Sequence, residues 1–115
     1  EFNIGYFTKF GDGAADVLPI VSLYKTQVRG LAKHLGIDEK IITKKSSPHL
    51  WPNHEAEHEI GVDYEQIDVI LYCLIDKKLS LEDTIKESQI DKEIVEKIHY
   101  MYKNSEHKRI NPKEL

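Results

Sequence analysis

The chain has 115 residues, 40% of them hydrophobic and 31% charged, with a formal net charge of −4. That balance suits one globular unit and argues against a general nucleic-acid binder, while no apolar run approaches the ~20 residues of a membrane span and no signal peptide is visible. The single cysteine, Cys73, has no internal disulfide partner and reads as a buried thiol within the apolar run Val69–Ile75, which fits a reducing, cytoplasmic location.

In chain order, residues 1–18 read as a short strand, roughly Ile4 to Phe7, running into the loop Gly11-Asp12-Gly13. Pro19 suits the first turn of a helix, where its missing N–H costs little. Ile20, Tyr24, Val28, Leu31 and Leu35 then share a helical face that Gly36 closes, and Asp38 can cap a brief helix through Thr43, so residues 19–43 read as helices. Residues 44–62 show no clear period and read as one long loop, a length more often found in lids and binding loops than in idle connections. From 63 to 108 the chain reads as a helical end. Asp63 with Gln66 resembles a capping box ahead of the stripe Ile67, Ile70, Leu71 and Leu74. Ser80 with Asp83 caps a short helix to about Glu87, and Asp91 to Asn104 aligns Ile94, Val95, Ile98 and Met101. The chain is expected to be mostly α-helical.

Two readings of the Gly11-Asp12-Gly13 loop compete. Its glycines permit positive φ and close backbone approach, so N–H groups can face an anion, with Lys9 and Lys25 near in sequence as phosphate-sized charges. The plainer reading is an Asp-Gly surface turn. Lys25 also suits the polar side of an amphipathic helix, Ser47 before Pro48 can start a turn, and His107-Lys108-Arg109 can complement a helix dipole.

Five ordered segments decide between them. They are Gly5–Asp16 with Pro19 and Leu23–Arg29, Leu35-Gly36-Ile37, Lys44–Trp51, Glu57–Gly61 with Tyr64 and Asp68, and Ser105–Arg109. Their order and spacing resemble the second half of the ammonia-dependent, archaeal-like NAD+ synthetase family, enzymes that use ATP to amidate nicotinic acid adenine dinucleotide (deamido-NAD+). The resemblance implies a doubly wound α/β, Rossmann-like parent fold of the adenine-nucleotide hydrolase type, of which this chain is the C-terminal part. It also implies deamido-NAD+, ATP and ammonia as substrates, Mg²⁺ as cofactor, and a homodimer. Position by position, Lys9, Asp16, His107 and Lys108 match dinucleotide contacts. Lys25 and Ser47 match ATP contacts, and Glu1 matches a Mg²⁺ ligand. The family's Ser-Gly-Gly-x-Asp-Ser pyrophosphate loop does not occur here, so this polypeptide alone is expected to be inactive. The only methionine is Met101, which reads as the mark of a fragment.

The chain departs from the family pattern at Ser46-Ser47-Pro48-His49 and at His54–Glu59. The second departure creates His54-Glu55-Ala56-Glu57-His58, a His-Glu-x-x-His pattern that on one helix would place both histidines on a zinc with Glu55 as base. Tyr64 stands where a longer zinc motif needs a third histidine, which disfavours this reading. Residues 80–104 resemble a helix-turn-helix, but Asp91, Glu93 and Glu96 offset Lys92, Lys97 and Lys103, so a DNA-reading face is also disfavoured.

Overall fold

The computed structural model describes residues 1–110. Seven α-helices lie among them: α1 (Lys25–His34), α2 (Glu39–Ile42), α3 (Ala56–Ile60), α4 (Tyr64–Leu71), α5 (Leu81–Ser88), α6 (Lys92–Asn104) and α7 (Glu106–Arg109). A π-helical turn, Tyr72–Asp76, extends α4. No strand occurs among the described residues. The chain divides into two compact units, one built from Glu1–Ser22 with the chain from Val69 onward, the other from Leu23–Asp68.

The first unit buries Ile4, Ile70, Leu71, Cys73, Val95 and Ile98. Cys73 is thus the core thiol that its apolar run implies. α5 begins at a true cap, since Ser80 Oγ accepts from Asp83 N at 3.0 Å. Gln89 then turns left-handed (φ 56°) to separate α5 from α6. On α6 the expected stripe places Val95 and Ile98 inside, three residues apart in the manner of a half-buried helix.

The expected strand at Ile4–Phe7 is absent. Gly5 sits at φ +71°, and Gly5 N and Tyr6 N donate back to Phe2 O and Glu1 O at 3.2 and 3.0 Å. The chain therefore coils there, because a left-handed residue at its centre breaks the extended run. Nor does a helix start at Pro19. Residues 11–23 run in turns, with Val17, Ile20 and Val21 exposed. A short helix draws most of its stability from packing an apolar face, and these side chains have none to pack on in this unit.

In the second unit, α1 instead starts at Lys25. Gln27 Oε1 accepts from Tyr24 N at 2.9 Å. The carboxylate of Asp68, 8% exposed, accepts from Thr26 N at 2.7 Å, an anion at a helix N-terminus. None of α1 is buried, and Leu31 and Leu35 are exposed, contrary to the core-facing stripe that the sequence suggests. Gly36 closes the helix in the left-handed region (φ 72°). Asp38 caps α2 through Lys40 N at 2.8 Å, as expected. The supposed loop 44–62 contains α3, which buries Ala56 and Ile60 one turn apart and stops at Gly61 (φ 73°). At the start of α4, Glu57 Oε1 accepts from Tyr64 N at 3.0 Å. Together with Val62, Tyr64, Ile67 and His54, these residues form the second unit's core.

Candidate functional site

In the first unit, helix α7 and the N-terminal loop are joined by three cations, two on the helix and one on the loop. Arg109 donates from Nη1 to Asn3 O and Ser105 Oγ, both at 2.6 Å, and from Nη2 to Tyr102 O at 2.5 Å. Its guanidinium also lies 4.6 Å from the Tyr102 ring centroid. Lys108 Nζ donates to Gly5 O at 2.7 Å and Phe7 O at 2.9 Å, and lies 5.5 Å from the Phe7 ring centroid. That ring stacks on Phe2 with centroids 5.0 Å apart. In return, Lys9 Nζ donates to His107 O at 2.6 Å. His107 Nδ1 is 3.0 Å from Asn104 O. A carbonyl only accepts, so Nδ1 carries the proton and a neutral His107 presents Nε2 as an acceptor. Three residues matched to dinucleotide contacts, Lys9, His107 and Lys108, are thus brought together from opposite ends of the chain.

The Gly11-Asp12-Gly13 turn differs from the anion cradle considered for it. Gly11 N and Gly13 N both donate to Thr8 O at 3.1 Å, and the Asp12 carboxylate accepts from Thr8 N at 3.1 Å. These amides point inward, and neither glycine is among the positive-φ residues. Glycine is needed at 13 for close approach instead, since a Cβ there would lie 2.6 Å from Lys9 O. The turn therefore fixes the backbone of Lys9. Beside it, an open pocket of about 210 Å³ is lined by Glu1, Phe2, Phe7, Asp12, Gly13 and the Leu18–Val21 turn. Asp16 is exposed in the following segment. No three His, Cys, Asp or Glu side chains among the described residues cluster closely enough to hold a metal ion.

The ATP-matched residues belong to the second unit. Lys25 opens α1 with Nζ 5.3 Å from the buried Tyr64 ring centroid. Arg29, one turn on, lies 5.8 Å from the same ring and pairs with Glu65 at 2.7 Å and Glu57 at 3.9 Å. Ser47 Oγ accepts from His49 N at 3.0 Å, fixing a tight turn in which His49 has φ 54°. The His-Glu-x-x-His pattern does not form a zinc face. α3 starts only at Ala56, so His54 precedes the helix and His58 lies on it. His54 instead stacks on Trp51, with centroids 3.4 Å apart, and its Nε2 lies 2.6 Å from Glu59 Oε2. Arg109, Trp51 and Glu59 make contacts here that the sequence alone does not assign to them. Arg109 carried a signal, as the last cation of a short basic run after a helix end. Trp51 and Glu59 gain their roles only from tertiary packing. No helix among the described residues is long and apolar enough to cross a membrane.

This helical scaffold is similar to part of the solved structure of an NMN synthetase from Francisella tularensis. That solved structure matches all of this chain and 42% of its own, with a TM-score of 0.77 and 37% identity. The model of the NAD synthase family matches residues 1–112, and the chain belongs to that family. Among curated relatives, NH(3)-dependent NAD(+) synthetases from Hyperthermus butylicus and Staphylothermus marinus are 55% and 51% identical over 112 residues. Each match covers 97% of this chain but 41% of the relative, so the chain spans about two fifths of the proteins it resembles.

Proposed function

We propose that the protein to which this chain belongs makes NAD+ by ATP-dependent amidation of deamido-NAD+ with ammonia. The observation that carries this reading is the convergence of Lys9, His107 and Lys108, which match the family's dinucleotide contacts, on one face of the first unit. Support also comes from the names of the relatives at 51% and 55% identity. The parent fold is the doubly wound α/β fold of the family, to which this chain contributes a helical part.

The chemistry has two steps. A nicotinate carboxylate oxygen attacks the α-phosphorus of ATP, and pyrophosphate leaves. Ammonia then attacks the acyl carbon, AMP departs with its oxygen, and the nitrogen loses a proton as the amide forms. Adenylation turns a poor leaving oxygen into a good one. In this scheme Lys108 has two of its three N–H donors on Gly5 and Phe7 carbonyls, and the third suits a phosphate or ribose oxygen. Lys9 and Asp16 complete the dinucleotide wall. Lys25 places its ammonium at the ATP phosphates, offsetting the charge that develops as pyrophosphate leaves, and Ser47 donates a hydroxyl hydrogen bond to them. Glu1 offers one carboxylate, which fits Mg²⁺ in its usual nucleotide mode of one or two carboxylates with waters and phosphate oxygens, and does not fit a cage of protein ligands. The ion supplies charge neutralisation on the phosphates.

The test is product analysis with the full-length protein, ATP, Mg²⁺ and ammonia. NAD+, AMP and pyrophosphate should appear in equal amounts from deamido-NAD+. Nicotinic acid mononucleotide, run in parallel, should be the poorer substrate. A preference for the mononucleotide would move the reading towards the Francisella neighbour, and no amide from either would refute it. The 115-residue chain alone should show no turnover.

A further inference from the structure

The segment that mimics a zinc motif shares one closed loop with Ser47. Ala56 N donates to Ser46 O at 2.9 Å, and Lys45 Nζ pairs with Glu55 at 2.8 Å, so residues 46–56 are pinned at the neck. Inside the loop, His49 and Asn53 both adopt left-handed backbone, at φ 54° and 58°. Such residues persist only where their surroundings over-determine them. The strongest tie within the loop is His54. Its ring is 4% exposed, stacked on Trp51 at an interplanar angle of 13°, and hydrogen-bonded through Nε2 to Glu59 of α3 at 2.6 Å. His54 N also donates to Trp51 O at 3.3 Å, closing the turn through Asn53. At the other end of the loop, Ser47 Oγ accepts from His49 N, which orients the hydroxyl and keeps its proton for donation to an anionic oxygen.

We infer that His54, latched between Trp51 and Glu59, is a positioning residue that holds the 46–56 loop so that Ser47 meets the triphosphate of ATP. This inference rests on the ATP reading of Ser47 given above. It assigns a purpose to a stretch where the chain departs from its family's pattern, and it replaces the zinc reading of the same residues. The competing account is a buried histidine that serves fold stability alone. The two differ in substrate dependence: a stability role affects both nucleotides alike, whereas a latch acts on ATP through Ser47.

The test uses the full-length protein with His54→Phe, which keeps a ring against Trp51 but removes the Nε2 contact. Glu59→Ala provides a second break that removes the Nε2 partner from an exposed position and leaves the core untouched. Both variants should raise KM for ATP about tenfold and leave KM for deamido-NAD+ within about twofold, since misplacing one contact affects the ligand it holds. Ser47→Ala should do the same, and combined with His54→Phe it should add little, because both changes remove one interaction. Equal rises in both KM values, unchanged kinetics in both variants, or fully additive effects would overturn the latch while leaving the synthetase reading intact. A wild-type protein that forms no amide would overturn the synthetase reading, and this inference with it.

Discussion

The two units treat their cations differently. In the first, Lys9, Lys108 and Arg109 all donate to main-chain carbonyls and thereby join the two ends of the chain. In the second, Lys25 and Arg29 lie against the face of a buried tyrosine, and Arg29 pairs with carboxylates. A positive side chain can thus build a wall or line it. The first unit's proposed dinucleotide contacts are also its structural staples, so changing them disturbs shape as well as charge. Of the second unit's proposed ATP contacts, Lys25 stands on a helix that Asp68 and Gln27 cap independently of it, and Ser47 lies in the 46–56 loop.

Substitutions should separate the two designs, the largest effects falling in the first unit. Gly5→Ala places a Cβ against Ser105 Cβ at a residue already at φ +71°. It should cost about 3 kcal/mol or more, combining left-handed strain with overpacking. Urea unfolding reads this directly, and a loss below about 1 kcal/mol would show that helix α7 does not press on the loop. Arg109→Met removes the donors to Asn3, Tyr102 and Ser105 while keeping bulk. A cost of about 2 kcal/mol is expected for charge-assisted bonds at a half-buried site. Hydrogen exchange should rise first at Gly5 and Tyr6. In the second unit, Asp68→Ala should cost about 1 kcal/mol, the usual value of a lost helix cap, with exchange increasing at Thr26 rather than in the loop.

The smallest effect is a pH response. A hydrogen bond and charge attraction from Lys77, 2.6 Å away, hold the Glu87 carboxyl below its ordinary value of 4.5. A depressed carboxylate stabilises the fold above its unfolded pKa and loses that contribution as pH falls through the folded one. Glu87→Gln should therefore lower stability slightly at neutrality, bring the variant level with the wild type at low pH, and so flatten the pH dependence below 4.5. The same pair raises Lys77 above 10.5, so its share fades only as pH climbs past that value. Salt should shrink both effects, since the groups are exposed.

How much of this was legible in the sequence depends on whether local signals suffice. Beyond residue 63 they do: Ser80 caps α5, and Val95 and Ile98 face inward, because capping groups and apolar spacing act within one turn. Before residue 25 they do not. Pro19 and the apolar run from Ile20 are compatible with a helix, but without a surface to bury that face the segment stays in turns. Gly5 looks like any glycine until Ser105 arrives beside it from across the chain. α3 escaped notice because it is five residues long and shows only the single pair Ala56 and Ile60. At the candidate site, the residue types were readable and their partners were not. Lys9 meeting His107, or His54 meeting Trp51 and Glu59, is set by tertiary folding that no periodicity encodes.

The division of labour between the units is the central claim, and direct binding tests it without relying on turnover. Deamido-NAD+ and MgATP should be titrated calorimetrically into the full-length protein carrying Lys9→Met or Lys25→Met. Loss of one charged contact should weaken the matching ligand by about 1.5–3 kcal/mol, roughly tenfold or more. Lys9→Met is expected to weaken deamido-NAD+ alone and Lys25→Met to weaken MgATP alone. Both substitutions weakening the same ligand, or neither weakening any, would contradict the assignment.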